Sequence, residues 1–268
     1  MTLIIPTSYD MTTTCPQDKN MDGFFSGRVM GKDTLTIRFY DGAGFCIALV
    51  DIAQVRELLS RDNGLLLDWL SEEEKKHIGK YRFPKRSSEW LSGRIAAKAA
   101  LLRGRNFLQG NYSPGEITVL GDDHGRPMLM RPYCVRMPQL SISHSGRYGV
   151  AMTTFQDCGV DIQKIESRIA KLGDHIGTEQ EIRMAAQVLF GPPEEGLTLL
   201  WAAKEAVKKC CLYDRPGLFT ATVIERIFRK RPGRWVLNCR IAGDSRQEVQ
   251  VTLLGGYMLA WCGRVHNA

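Results

Sequence analysis

The order of predicted elements constrains the fold most, because one succession of strand, helices and antiparallel strands occurs twice along the chain. In the first half, a strand at Phe45–Asp51 precedes helical segments up to Arg103, and further strands follow to Phe155. In the second half, Gly159–Gln163 begins a strand, helices follow to about Leu212, and two hairpins come last. Strands joined by short turns pair antiparallel. The sequence therefore predicts an α+β fold of two similar, pseudo-twofold-related α/β halves, each with a mainly antiparallel sheet and packed helices.

This element order divides the chain into three parts. We predict an N-terminal extension (1–45), an N-terminal half (46–156) and a C-terminal half (157–268). The extension has little periodicity and predicts a single strand, at Thr34–Tyr40. The predicted helices cover Gln54–Leu70 with an interruption at Asp62-Asn63-Gly64, Ser71 to about Tyr81, Glu89–Arg103, about Thr178–Phe190, and Leu197 to about Leu212.

The composition is that of an ordinary globular protein. The chain has 268 residues, of which 44% are hydrophobic and 24% are charged. It has neither an apolar run long enough to span a membrane nor a secretory signal pattern. Eight cysteines lie scattered without a Cys-x-x-Cys pair, which favours free thiols in a reducing compartment over disulfides or zinc. We therefore expect a cytoplasmic protein that does not enter the membrane.

Positive charge is concentrated in one stretch of the chain. The formal net charge is +7, and residues 71–105 contain ten Lys or Arg against four Glu. A second basic cluster consists of Arg229, Lys230, Arg231 and Arg234. Local positive charge attracts anions. The stretch therefore suits nucleic acid, an acidic protein or a phosphorylated cofactor, and charge alone does not distinguish these partners.

A helix and a strand each carry an acidic residue of interest. Glu205 and Lys209 are four positions apart on the predicted helix and share a face, although an isolated pair of this kind is usually a surface ion pair. Asp161 alternates with Val160 and Ile162 in an apolar strand, so its side chain is expected on the opposite face. It is either an exposed strand residue or a carboxylate that is paired or bound to metal. Together, Asp161 and Glu205 would make an oxygen-only site suited to Mg²⁺.

A tight turn between two strands collects anion-binding groups. Ser143, His144, Gly146 and Arg147 bring hydroxyl, imidazole, guanidinium and flexible backbone together, and such turns can form anion-binding nests. A polar hairpin with a chance histidine is the alternative. A catalytic Ser–His pair is disfavoured, because adjacent strand residues point to opposite faces. Arg126, beside a rigid Gly-Arg-Pro turn, carries little information alone.

The ordered set of motifs resembles the 4′-phosphopantetheinyl transferase superfamily, in particular the surfactin-synthetase-activator type, in which two homologous halves share one chain. The family motifs Gly-Lys-Pro, Ile-Ser-His-Ser, Gly-(Ile/Val)-Asp-(Ile/Val)-Glu and Trp-x-x-Lys-Glu-(Ala/Ser)-x-x-Lys correspond here to Gly125–Pro127, Ile142–Ser145, Gly159–Gln163 and Trp201–Lys209. The Leu70-Ser71-Glu-Glu-Glu segment and the basic helix around Lys98 also match. The resemblance covers roughly residues 45–262, and it is the order of the motifs that is specific.

The resemblance implies an enzyme that transfers the 4′-phosphopantetheine group of coenzyme A to a serine of an acyl or peptidyl carrier protein and releases 3′,5′-ADP. Asp161 and Glu205, with Gln163 beside them, would hold Mg²⁺ against the pyrophosphate. Glu205 would also help to deprotonate the serine, and Lys209 would neutralise the leaving group. The implied coenzyme A contacts are Ser143 and His144 at the phosphates, Arg126 at the nucleotide end, and Arg82, Arg86, Arg94 and Lys98 at the 3′-phosphate.

One position departs from the family pattern. Gln163 stands where the family often has Glu, and a neutral amide binds Mg²⁺ less strongly than a carboxylate, although water could fill the position. Gln163 leaves open a catalytically weak relative that binds coenzyme A or a carrier protein, and the basic stretch 71–105 leaves open a basic nucleic-acid-binding protein. We expect an acidic carrier protein as the partner, with neither nucleic acid nor membrane. We also expect a monomer, because the two halves can supply the interface that a dimer would otherwise provide.

Overall fold

A computed structural model of the chain describes residues 25–29, 35–61, 64–104, 106–214, 221–241 and 245–264. The helices of this part are α1 (Ile52–Arg61), α2 (Gly64–Leu67), α3 (Glu72–Ile78), α4 (Pro84–Arg103), α5 (Gly173–Ile176), α6 (Glu179–Leu189) and α7 (Pro193–Cys211). The strands are β1 (Phe25–Val29), β2 (Leu35–Gly42), β3 (Phe45–Asp51), β4 (Thr118–Gly121), β5 (Pro127–Arg131), β6 (Gln139–Ser145), β7 (Tyr148–Thr154), β8 (Cys158–Lys164), β9 (Thr222–Arg231), β10 (Arg234–Ile241), β11 (Ser245–Leu254) and β12 (Tyr257–Gly263). None of the helices described is long and apolar enough to cross a membrane.

Two antiparallel sheets form the frame of the molecule. The first has the strand order β1-β2-β3-β7-β6-β5-β4, and the second has the order β8-β12-β11-β10-β9. Without its edge strands β1 and β2, the first sheet has the same order along the chain as the second. Helices α1–α4 follow β3 just as α5–α7 follow β8. The predicted α+β fold of two similar halves is therefore confirmed.

Part of the predicted N-terminal extension belongs to the first sheet. The strand expected at Thr34–Tyr40 corresponds to β2, with residue 34 itself outside the described residues, and β1 was not predicted. Leu35, Ile37 and Phe39 of β2 are buried in the first core, because every second strand side chain faces the same side of the sheet. Residues 1–24 lie outside the described residues, so their assignment to an extension stays a prediction.

Both long helices begin at a proline. Helix α4 begins at Pro84 and α7 at Pro193, whereas the sequence pattern predicted starts at Glu89 and Leu197. Proline suits the first turn of a helix, because it lacks an N–H that would have no acceptor there and its φ angle is already helical. Each prediction therefore missed about the first turn.

A buried ion pair holds the N-terminal half together. Both side chains of the pair, Glu74 of α3 and Lys98 of α4, are fully buried. Glu74 also accepts a hydrogen bond from the Val119 amide (3.0 Å). Lys98 donates to the carbonyl oxygens of Trp69 (2.5 Å) and Pro114 (3.0 Å). The expectation that Lys98 binds the 3′-phosphate is therefore wrong, because its ammonium group is enclosed and already has three acceptors.

The same ion pair recurs in the C-terminal half. Glu181 of α6 binds Lys204 of α7 (2.9 Å) and accepts a hydrogen bond from the Ile224 amide (2.7 Å). Glu74 and Glu181 each complete a capping box at the start of their helix, with Ser71 and Thr178 respectively. A charge pair with the same partners in both halves is the clearest residue-level sign of their duplication.

The two halves meet along a seam that has its own core. Each half encloses a separate apolar core between its sheet and its long helix. A third core lies where the two sheets face each other. Its members include Leu49, Val150 and Met152 from the first sheet, and Val160, Ile162, Leu259 and Trp261 from the second.

Candidate functional site

Alternate serines of β6 contact β8 across the seam. Ser141, Ser143 and Ser145 share one face of β6, since strand side chains alternate. Ser143 donates a hydrogen bond to Asp161 Oδ1 (2.6 Å), and the other two hydroxyls accept hydrogen bonds from backbone amides of β8. Sequence analysis identified only Ser143 among them. The recurrence of serine at every second position was the available signal for the other two.

Asp161 has one fully engaged carboxylate oxygen and one free one. Its Oδ1 accepts hydrogen bonds from Ser143 and from Lys209 Nζ (2.7 Å). Its Oδ2 is buried and has no hydrogen-bond partner among the described residues. A buried carboxylate oxygen without a partner carries a desolvation cost. The position therefore fits a cation that the side chain would coordinate.

Strand β8 carries Asp161 unusually close to helix α7. Gly159 allows this approach, because a Cβ atom there would overlap the carbonyl oxygen of Ala206 in the helix. At this separation, Lys209 reaches both the Val160 carbonyl (3.1 Å) and the Asp161 carboxylate. Val160 lies in the seam core, so Asp161 faces the opposite way, as the strand alternation predicted.

Glu205 lies one helical turn before Lys209 on α7. Burial and the nearby charge of Asp161 raise the pKa of the Glu205 carboxyl group, and Lys209 and Lys208 oppose this rise. Lys209 binds Asp161 (2.7 Å) and shares a face of α7 with Glu205, so the Glu205 carboxyl group lies on the side of the helix that faces Asp161. The structure therefore brings together two carboxylates that are distant in sequence.

The donor set at this point matches a magnesium site. Among the residues described, there is no group of three or more His, Cys, Asp or Glu side chains arranged to hold a metal ion, which excludes a closed zinc-type cage from that part of the chain. Asp161 and Glu205 supply two charged oxygen ligands. Gln163 is half-buried two residues further along β8, on the same strand face as Asp161. Mg²⁺ suits such a site, since it retains water and phosphate oxygens as ligands.

An open pocket of about 210 Å³ lies against the other face of β6. Arg86 and Arg94 of α4 line it together with Trp90 and His144. The Arg94 guanidinium lies over the Trp90 ring at 4.8 Å, and its buried Nε has no hydrogen-bond partner in the described structure. The pocket thus offers cationic groups to an anion. Trp90 is half-buried and also packs against the first core, and its spacing of four from Arg94 was the sequence signal for their contact. Arg82 is exposed on the loop that precedes α4.

His144 connects this pocket with the carboxylate site. Partial burial lowers the pKa of the His144 imidazole, as does the charge of Lys209, while Glu89 and Asp161 oppose the shift. The imidazole is therefore neutral at neutral pH and can donate one hydrogen bond and accept another. His144 faces the pocket and Ser143 faces the seam. This opposition agrees with the expectation that the two do not form a catalytic pair.

Arg126 lies at the seam with its guanidinium already engaged. It donates hydrogen bonds to Gln139 (3.0 Å) and to Asp157 (3.0 Å). Its guanidinium carbon lies 4.5 Å from the ring centroid of Tyr213. Asp157 and Tyr213 belong to the other half. The expected contact with the nucleotide stays a prediction, and these three partners were not foreseen.

Comparison with known proteins matches residues 157–262 to the family described as the 4′-phosphopantetheinyl transferase superfamily. A holo-[acyl-carrier-protein] synthase of Geobacillus kaustophilus (strain HTA426) is 32% identical over 117 residues, which is 43% of this chain and 90% of that protein. One from Geobacillus sp. (strain WCH70) is 32% identical over 114 residues, 42% of this chain and 95% of that protein. A solved holo-(acyl-carrier-protein) synthase of Bacillus anthracis str. Ames, in complex with CoA (3′,5′-ADP), is 28% identical and covers 41% of this chain and 92% of that chain, with a TM-score of 0.37.

The chain belongs to the 4′-phosphopantetheinyl transferase superfamily. The predicted family and enzyme class are confirmed, because the match extends over nearly the whole length of the relatives. The family match covers the segment that carries Asp161, Glu205 and Lys209. Assignment to the two-half, single-chain type stays a prediction, which the repeated topology supports.

Proposed function

We propose that the chain transfers the 4′-phosphopantetheine group from coenzyme A to a serine of an acyl or peptidyl carrier protein and releases 3′,5′-ADP. Family membership supports the reaction class. The observation that carries the proposal is the Asp161 carboxylate, which leaves a buried oxygen free beside Glu205 and Lys209. Transfer of a phosphate-linked group depends mainly on positioning and charge neutralisation. Two carboxylates and a cation at one seam meet that need.

Asp161 and Glu205 are the residues that would hold Mg²⁺, with the Gln163 amide or water completing the protein side. The ion supplies charge neutralisation at the pyrophosphate when it is bound. Ser143 and Lys209 both engage Asp161 Oδ1, which orients the carboxylate and leaves Oδ2 for the ion. The site therefore contains its own orienting contacts, which ligand carboxylates generally have.

The proposed reaction forms one bond and breaks one. The serine oxygen of the carrier protein bonds to the phosphorus that bears pantetheine, and the bond from that phosphorus to the oxygen of 3′,5′-ADP breaks. Glu205, which would also hold the ion, would help to take the serine proton on its carboxylate. Lys209 neutralises the charge that develops on the departing oxygen.

The pocket beside β6 is the proposed place of the nucleotide phosphates. Arg86 and Arg94 would bind the 3′-phosphate as charged donors, and a neutral His144 would donate a hydrogen bond. Exposed Arg82 would act at the entrance. Because His144 borders both the pocket and the carboxylate site, a coenzyme A molecule in this pocket can present its pyrophosphate to Asp161.

The partner and setting follow from the same proposal. The carrier protein is an acidic acyl or peptidyl carrier protein, for which the exposed cations Lys76, Lys80, Arg82, Lys85 and Arg86 would speed encounter. We propose that the enzyme acts in the cytoplasm as a monomer. Light scattering of the purified chain should give the mass of one copy.

Intact-mass measurement tests the transfer. The chain is incubated with Mg²⁺, coenzyme A and a panel of apo carrier proteins, and one of them should gain the mass of phosphopantetheine. Asp161→Asn and Glu205→Gln should lower the rate by about a hundredfold or more. Glu195→Gln, in the first turn of the same helix, is the matched control and should retain the rate. Absence of product from every carrier, with coenzyme A still bound, would instead support a catalytically weak relative.

A further inference from the structure

We propose that Arg126 is a positioning residue that clamps the two halves of the chain beside the active site. This inference rests on the proposed function and changes the role of one residue within it. The family resemblance assigns the corresponding position to the nucleotide end of coenzyme A. The contacts of Arg126 in the structure lead instead to the two elements that carry Asp161 and Lys209.

In the N-terminal half of the chain, Arg126 is held by a fixed turn. Arg126 follows Gly125, whose positive φ of 80° is readily adopted by glycine. The Arg126 amide donates to the side chain of Asp122 (2.8 Å), which fixes the backbone of the turn. Arg126 Nη2 then donates to Gln139 of β6 at 3.0 Å. The guanidinium is thereby anchored to the N-terminal half before it reaches the other half.

In the C-terminal half of the chain, Arg126 contacts Asp157 and Tyr213. Asp157 lies four residues before Asp161, immediately before β8, and Tyr213 lies four residues beyond Lys209, just after α7. Arg126 binds the carboxylate of Asp157 (3.0 Å) and lies over the ring of Tyr213. One side chain therefore holds the beginning of the metal-binding strand and the end of the catalytic helix.

The ion pair between Arg126 and Asp157 is partly shielded from water. The side chains of Arg126 and Asp157 are 13% and 29% exposed, so water screens this pair less than an exposed surface pair. The backbone oxygen of Asp157 also accepts a hydrogen bond from the Arg264 amide (2.8 Å), which fixes the acidic partner to the end of β12. A lysine, which is usual here in the family, could not combine donation to two groups with flat stacking on an aromatic ring.

The test compares Arg126→Gln, Asp157→Asn and the double variant in the full chain. Arg131→Gln is the matched control, because Arg131 lies at the end of β5, the strand that Arg126 precedes, and pairs only loosely with Glu73 (3.6 Å). Hydrogen exchange of the Val160 amide reports on the seam, because this amide donates to Ser141 of the other half. Steady-state kinetics at saturating Mg²⁺ separates kcat from the KM for coenzyme A.

The clamp predicts the same behaviour for both single variants. Exchange at Val160 should accelerate by about tenfold or more, while exchange in the core of β10 stays unchanged. The kcat should fall by about ten- to a hundredfold, because small displacements of catalytic groups are costly, and the KM for coenzyme A should stay within about twofold. The double variant should be no worse than either single one, because both remove one interaction.

A different pattern would overturn the clamp. If Arg126 binds the nucleotide, Arg126→Gln raises the KM for coenzyme A and Asp157→Asn leaves it unchanged. Unchanged exchange at Val160 in both variants would also refute the inference. Accelerated exchange in a chain whose wild type transfers nothing would leave the clamp standing and refute the proposed function, so the two failures are distinguishable.

Discussion

At the scale of single residues, the site holds two carboxylates in surroundings that disfavour their charged forms. Asp161 is only 5% exposed, yet one of its oxygens has no hydrogen-bond partner in the described residues. The negative charge of Asp161 repels the charged form of Glu205 and helps to raise the pKa of its carboxyl group. Such a pair is unfavourable until a cation lies between the carboxylates. The site is thus built for a bound ion at some cost to the stability of the ion-free protein.

The loss of stability in the ion-free protein can be measured with the variant Glu205→Gln. The raised pKa of Glu205 means that the native state favours its protonated form, so the charged form destabilises the ion-free protein above that pKa. The variant should therefore melt about 2 °C or more above wild type at pH 8 without metal. The difference should shrink as the pH falls below the native pKa and vanish below the pKa of the unfolded state. Thermal scans across this range in a chelating buffer check the prediction.

Adding Mg²⁺ should reverse the order of the two melting temperatures, so that wild type melts above Glu205→Gln. Wild type gains stability from the ion it binds, whereas Glu205→Gln should gain little. A variant that melts below wild type in chelator would contradict this account of the two carboxylates.

Gln163 is the residue at which this chain departs from its family. Gln163→Glu adds a charged oxygen on the strand face that bears Asp161, and metal affinity rises with the charge of the ligands. We expect the Mg²⁺ concentration for half-maximal activity to fall about tenfold. Isothermal titration of Mg²⁺ into the coenzyme A complex measures the change, with exposed Gln187→Glu on α6 as control. Equal affinity in all three proteins would show that residue 163 does not face the ion.

At the scale of elements, the approach of β8 to α7 determines the site. Gly159→Ala should push the helix away from the strand, because the new Cβ would overlap the Ala206 carbonyl. We expect a stability loss of about 1–3 kcal/mol and weaker metal binding, read by urea titration and calorimetry. Gly173→Ala is the control, since a Cβ there makes only ordinary contacts of 3.8 Å with Leu197. A Gly159→Ala protein with native stability and metal affinity would contradict the role of this close contact.

The elements also show where sequence reasoning succeeds and fails. The strand Phe45–Asp51 and the start of the helix after Ser71 were predicted correctly, because a short apolar run and a helix cap are local signals. The starts of α4 and α7 were missed, because the sequence pattern placed Pro84 and Pro193 before the helices instead of in their first turns. A proline is compatible with both a helix stop and a first turn, and the local pattern does not decide between them.

Contacts between elements could not be predicted from the sequence. The motifs indicated Asp161 and Glu205, yet the roles of Lys98 and Arg126 depend on partners at least 13 positions away. The family resemblance assigned Lys98 to the 3′-phosphate, whereas its burial against Glu74 decides its role. A charge pattern reports how many cations are present, and only packing shows which of them are already neutralised.

At the scale of the whole molecule, the two halves share a topology and divide the chemistry. In β3, Ala48 pairs with Ala151 as Asp161 pairs with Ala260 in the second sheet. Ala99 follows the buried Lys98 just as Glu205 follows Lys204. The first half therefore has alanines where the second half has its two carboxylates. The duplicated fold should hold one metal site, and β6 of the first half completes it with Ser143 and His144.

The most direct test of this account counts the ions that one chain binds. Titration with Mn²⁺, followed by the electron paramagnetic resonance signal of the free ion, should give one tight site per chain in wild type. Asp161→Asn and Glu205→Gln should each abolish it, and Glu195→Gln should preserve it. Retention of the tight site in both seam variants, or a second equivalent site, would contradict the claim that these two carboxylates converge on one divalent ion.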